Sequence, residues 1–99
     1  MFGLVGKFIA QEGKREALIS VLAAATGELP GCLSYIVARD ARDADTIWIT
    51  EVWEDAAHHA ASLKLPAVQQ AIQQARPWIR SMEQVATTEP VSGVGPSPA

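Results

Sequence analysis

One cysteine, Cys32, stands alone among 99 residues, which excludes an internal disulfide and a zinc site built on cysteines. Positive charge is scarce as well. Eight Lys and Arg against eleven Asp and Glu leave a formal net charge of −3. The eight are scattered, so the chain has no electrostatic footprint for nucleic acid or an anionic membrane, and neither partner is expected. No apolar run nears the roughly 20 residues needed to span a bilayer, and no basic segment followed by an apolar stretch marks a leader. These absences leave a cytoplasmic location as the expectation. Internal repeats are missing, and the only histidines are the adjacent His58 and His59.

What is present is ordinary globular material. Apolar residues make up 48% and charged residues 19%, too apolar for a disordered chain and enough for one small core. Half of the six prolines fall in the last ten residues together with glycine and serine. Residues 1–88 therefore read as one domain, and 89–99 as a tail without packed structure.

Periodicity supplies the elements. Phe2–Ile9 alternates like a strand, with Phe2, Leu4, Gly6 and Phe8 on one side. Lys14–Thr26 reads as a helix burying Leu18, Val21, Leu22 and Ala25, with Gly27 placed to end it. Pro30-Gly31 is a turn that opens a strand through Cys32, Tyr35 and Val37. The polar reversal Asp40–Asp45 leads to a second strand, Thr46–Glu54. Asp40, Asp43 and Asp45 are typical turn formers, which reads them as a solvated loop rather than a metal site. Asp55 stands at a helix N-cap before Ala56–Lys64. Pro66 restarts a helix whose stripe is Val68, Ala71, Ile72 and Ala75, with glutamines 69, 70, 73 and 74 toward water. Pro77 halts it, and Ile79–Thr87 is a polar edge strand.

The order β-α-β-β-α-β predicts an α+β, ferredoxin-like fold: a four-stranded antiparallel sheet with its helices on one face. Within the second hairpin strand, Trp48 and Val52 point one way while Ile47, Ile49 and Trp53 point the other. A strand apolar on both sides requires cover on both. The helices cover one face, and a second copy of the chain covering the other makes a homodimer the simplest arrangement. Glu51 or its neighbours are expected near the two-fold partner.

The hairpin carries a recognisable set of residues: Pro30-Gly31-Cys32-x-x-Tyr35, then Arg39-Asp40 and Asp43, then Glu51-x-Trp53-x-Asp55 with Ala57 behind it. This pattern resembles the antibiotic biosynthesis monooxygenase (ABM) domain family of the dimeric α+β barrel superfamily, over about Phe2 to Val85. The resemblance implies a homodimer whose sheets pack face to face, with a pocket in each subunit for an aromatic, quinol or polyketide-like molecule. It implies oxygenation without metal or flavin, the deprotonated substrate reducing oxygen itself. Similar proteins often carry histidine where this chain has Ser62 and Ala67. Heme-degrading relatives use asparagine, tryptophan and histidine where this chain has Gly6, Ser62 and Ile72, so no heme or other cofactor is expected.

Several side chains are candidates for such a site. His59, one turn before Ser62 on the same helix face, is the candidate base; His58 lies about 100° away. Glu51, a carboxylate among apolar neighbours, is a second candidate base, with a structural bond across the sheet or the dimer interface as its other reading. Tyr35, Trp48, Trp53, Ser62 and Trp78 are candidate substrate contacts. Trp53 also reads as core, Tyr35 as a structural hydrogen-bond donor, Trp48 as part of the dimer seam and Trp78 as a half-exposed ring. Cys32 reads as a small packed hydrophobe. The alternatives to an oxygenase are a binding or dimerisation module without catalysis, or an isomerase or cyclase using the same pocket with Glu51 or His59 as base.

Overall fold

A computed structural model describes residues 1–95. Strand β1 spans Phe2–Ala10, helix α1 Arg15–Ala24, strand β2 Cys32–Arg39 and strand β3 Thr46–Trp53. Helices α2 (Ala56–Ser62) and α3 (Pro66–Ala75) follow, then a 3-10 turn over Arg76–Trp78 and strand β4, Ile79–Thr88. The strands form one antiparallel sheet in the order β2-β3-β1-β4. This is the ferredoxin-like α+β arrangement, and β4 is an edge strand as its polarity predicts.

Local chemistry sets the boundaries. The Asp55 side chain accepts the His58 backbone N–H at 2.8 Å, capping α2. Pro66 occupies the first turn of α3, where a missing N–H costs nothing. Asp40 Oδ1 accepts the backbone N–H groups of Arg42 and Asp43, and Asp43 Oδ1 that of Asp45, so these aspartates build the reversal between β2 and β3. Helix α1 is shorter than its periodicity predicts. Thr26 ends it by donating both its hydroxyl and its backbone N–H to the Ala23 carbonyl. Gly27 is not in the left-handed region and plays no capping role.

Register fixes the two faces. Leu4, Gly6 and Phe8 stand opposite Glu51, Ile49 and Ile47, and Tyr35 stands opposite Glu51 on the other side. All of these face the helices. Glu51 therefore faces the helices, while its neighbours Thr50 and Val52 face the open side. Lys7 pairs with Trp48 on the opposite, helix-free face, where the Lys7 ammonium lies 5.6 Å from the Trp48 ring centre. The core of Ala10, Leu18, Val21, Ile47, Ile49 and Ala75 occupies one end of the helix-covered side. Pro90 lies against Gly3, where an added Cβ would sit 3.1 Å from its Cγ, so the chain stays packed just past β4. The tail expected over 89–99 is otherwise exposed through 95, and 96–99 lie outside the described residues.

Candidate active site

At the other end of the helix-covered side the layers do not meet. A cavity of about 390 Å³ separates sheet from helices. Small residues leave the space: Gly6 on β1, Ala25 just past α1, and Ala71 and Ala75 on α3 all line it. Gly6 forms part of its floor. A Cβ built there would approach only Glu83 O at 3.8 Å and Ile49 O at 4.0 Å, so nothing fills the room above it. The register of β1 against β4 shifts between Val5 and Gly6, an irregularity of the kind common beside functional sites. Leu63, Ile72 and Met82 line the cavity yet are 48%, 40% and 65% exposed, which places them at its mouth.

Into this apolar space β3 delivers Glu51. Trp53, two residues on and 1% exposed, donates its indole N–H to Glu51 Oε1 at 3.0 Å. Among the described residues no ion pair reaches this carboxylate. Burial pushes the Glu51 carboxyl above its ordinary value, opposed by the Trp53 hydrogen bond and by His59 nearby. Tyr35 also lines the cavity. Burial, chiefly, and then the neighbouring Glu51 and Cys32 push its phenol well above the usual range, so it remains an O–H. Its hydroxyl has no hydrogen-bond partner among the described residues and is not sealed from solvent.

Helix α2 brings in His59, whose ring packs edge-on to Trp53 at 5.5 Å and tilted against Phe2 at 5.8 Å while bordering the cavity. His58 lies outside it. Its ring Nδ1 is 2.7 Å from Asp55 Oδ1 and its Nε2 3.7 Å from Glu54, and Asp55 beside it pushes its pKa up. The ring stacks on Gly31, whose φ of +80° and lack of a side chain permit the approach: a Cβ there would come within 2.4 Å of His58. Ser62 borders the cavity, 6% exposed, with its hydroxyl donated to the His59 carbonyl at 2.6 Å. Its oxygen is thus engaged within its own helix. Ala67 is exposed and lines nothing.

The structure therefore gathers Glu51, Trp53, Tyr35, His59 and Ser62 around one cavity and leaves two predicted contacts out. Trp48 is on the opposite face, where its indole N–H is held by Asp40 Oδ2 at 2.7 Å; strand alternation sends it away from the helices. Trp78, in the 3-10 turn, packs against the core instead. The family resemblance implied a pocket of this kind, but the periodicity of the chain did not locate it. Its one signal was Gly6 at the centre of an otherwise apolar strand face, where a glycine marks a missing side chain.

Residues 1–74 match the model of the antibiotic biosynthesis monooxygenase (ABM) family. The chain is 49% identical to a candidate antibiotic biosynthesis monooxygenase from Chloroflexus aurantiacus J-10-fl, whose crystal structure superposes with a TM-score of 0.92, covering 97% of this chain and 98% of that one. A candidate monooxygenase of the same description from Deinococcus radiodurans is 26% identical, with a TM-score of 0.78 over 95% and 96% of the two chains. One from Nitrosomonas europaea, 14% identical with a TM-score of 0.84 over 93% and 100%, shares the fold. No curated protein matches the sequence significantly. No helix among the described residues is long and apolar enough to cross a membrane. The chain belongs to the antibiotic biosynthesis monooxygenase family, and that membership supports a general monooxygenase-type function.

Proposed function

We propose that this protein oxygenates an aromatic, quinol or polyketide-like small molecule without metal or flavin, with Glu51 as the base and His59 beside it. One observation carries the reading: a half-buried carboxylate in an apolar cavity, held at one oxygen by the Trp53 N–H and, among the described residues, without a cation paired to it. Such a group is poised to accept a proton from a bound hydroxyl or acidic C–H. The deprotonated substrate passes an electron to oxygen, the two radicals join at carbon, and the hydroperoxide loses water to leave a carbonyl. In sum, a CH₂ and O₂ give a C=O and H₂O. The protein's part is to exclude water, orient the ring and hold the proton.

Oxygen uptake with a panel of hydroquinones and anthrone-type aromatics tests this. The expected result is uptake with one of them, lowered by roughly the 10²–10⁴-fold that a positioned base contributes when Glu51 is replaced by Gln. His59→Ala should lower the rate and His58→Ala should leave it nearly unchanged. Conversion of a ligand without oxygen uptake would favour an isomerase or cyclase. Binding without any turnover would favour a non-catalytic module, a reading to which the engaged hydroxyl of Ser62 lends support.

The same reading makes the working form a homodimer. The helix-free sheet face presents Val5, Ile9, Ile36 and Val52, with Ile36 56% exposed, and a second copy is its simplest cover. Sedimentation at micromolar concentration should give twice the mass of the chain, and the mass of one chain would refute the dimer.

A further inference from the structure

We infer that the cavity selects uncharged, hydroxyl-bearing aromatic ligands and rejects anionic ones, and that Glu51 sets this selectivity. The inference deepens the aromatic-substrate reading and rests on it for the class of ring.

Helices α1 and α3 present only apolar side chains to the cavity, among them Leu22, Val68 and Ile72. Lys7 and Glu83 border the cavity but stand opposite each other in the β1–β4 register with their side chains on the other side of the sheet, and the Lys7 ammonium sits over Trp48. Arg39, on β2, is engaged by Glu16 on the outer surface. The ionisable groups left facing the cavity are Glu51 from β3, Tyr35 from β2 and His59 from α2. No lysine or arginine among the described residues offers a counter-charge to a ligand carboxylate or phosphate.

An anion entering here would be stripped of water beside a carboxylate, a like-charge arrangement that is costly in a poorly hydrated site. A neutral phenol meets the opposite reception. Glu51 Oε1 already accepts from Trp53, which leaves Oε2 to accept the ligand's O–H, a charge-assisted bond stronger than one between neutral groups. The unpartnered Tyr35 hydroxyl supplies a second polar contact on the adjacent strand. The rest of the ligand lies over Gly6, where the open floor has room for a flat ring.

Calorimetric titration without oxygen at pH 8, where imidazoles are generally neutral and carboxyls ionised, compares 1-naphthol with 1-naphthoate. These probes share a ring system and differ in charge. The wild-type protein should bind naphthol at least about tenfold more tightly than naphthoate, a modest share of what like-charge juxtaposition costs at an interface. Glu51→Gln, which keeps the shape and an acceptor for Trp53, should shrink that preference by about tenfold or more. Gly6→Val should weaken naphthol binding sharply with the fold intact, because its side chain enters the cavity. Equal or tighter binding of naphthoate, binding of neither probe, an unchanged preference in Glu51→Gln, or full binding in Gly6→Val would each overturn the inference. Turnover plays no part in this measurement. A protein that discriminates as described but consumes no oxygen refutes the oxygenase reading alone, whereas one that consumes oxygen yet prefers naphthoate refutes the selectivity alone.

Discussion

The two ends of the helix-covered side are written in one pattern and built to different ends. At one, Ala10, Leu18 and Ile47 close on each other with no exposure at all. At the other, Leu4, Gly6, Glu51 and Trp53 continue the same strand alternation, and Leu22 and Ile72 continue the same helical stripes, yet the space between them stays open. The pattern of apolar residues says which way a side chain turns. Whether the space it turns toward is filled depends on side-chain volume, and here glycine and alanines fall where larger residues would have met. The filled end holds the fold together, and the hollow end holds a carboxylate whose charged form burial disfavours.

The largest test of that contrast is at Glu51. Beyond the fall in rate, Glu51→Gln should raise the melting temperature near neutral pH. Burial raises this carboxyl's pKa, so its favourable contribution is complete below its ordinary value of 4.5 and is lost as pH rises through the raised one. The gain from Gln should therefore be greater at pH 8 than at pH 4. A variant less stable than wild type at pH 8 would show that Glu51 is a structural group. Next in size, Leu18→Ala should cost about 2–5 kcal/mol in denaturant unfolding, the usual loss for a leucine in a closed core. Ile72→Ala, at the mouth, should cost about 1 kcal/mol or less, since its side chain is already wet. Equal costs would mean that the open end is packed in solution.

Gly31→Ala should cost about 1–3 kcal/mol through its left-handed backbone and the collision with His58. Adding His58→Ala should recover the part due to collision and leave the backbone part, a coupling that a double-mutant cycle reads directly. The smallest effect expected is that of pH on His58. Its pKa is raised by Asp55 and, less, by Glu54. Its stabilising contribution is thus complete below the ordinary 6.5 and is lost as pH rises through the raised value. The gap in melting temperature between wild type and His58→Ala should narrow from pH 5 to pH 9. A gap that widens would reverse the sign of the interaction.

Much of this was legible in the chain. Strand alternation, the Asp55 cap and the proline at the start of α3 are local signals, and they gave the elements and their order. The face of each strand residue was legible as well. The parity that puts Ile49 and Trp53 toward the helices also puts Glu51 there and leaves its neighbours Thr50 and Val52 for the open face. Trp48 was harder, because an indole is chemically suited to either face and only its parity with Val52 decides. The stripes on α1 and α3 could not distinguish a core from a cavity wall, since either requires an apolar surface. The end of α1 went to Thr26 because its hydroxyl and N–H reach a free carbonyl before a glycine is needed. Partners were the least legible feature of all. That Trp53 would clasp Glu51, and that the Ser62 hydroxyl would turn back to its own helix, depends on distances that spacing alone does not set.

The strand order has a consequence for how the molecule is made. Strand β1 is central, but its neighbours come late: Gly3 pairs with Val52 on one side and with Thr88 on the other. During synthesis the edge of β1 that will receive β4 stays bare until nearly the whole sheet has been translated, and the floor of the cavity around Gly6 lies along that edge. Contacts so distant in sequence form slowly, and an unpaired edge invites pairing with another chain meanwhile. The ligand site is thus among the last parts of the fold to be completed, and weakening β4 should cost the nascent protein its binding site before it costs the closed core.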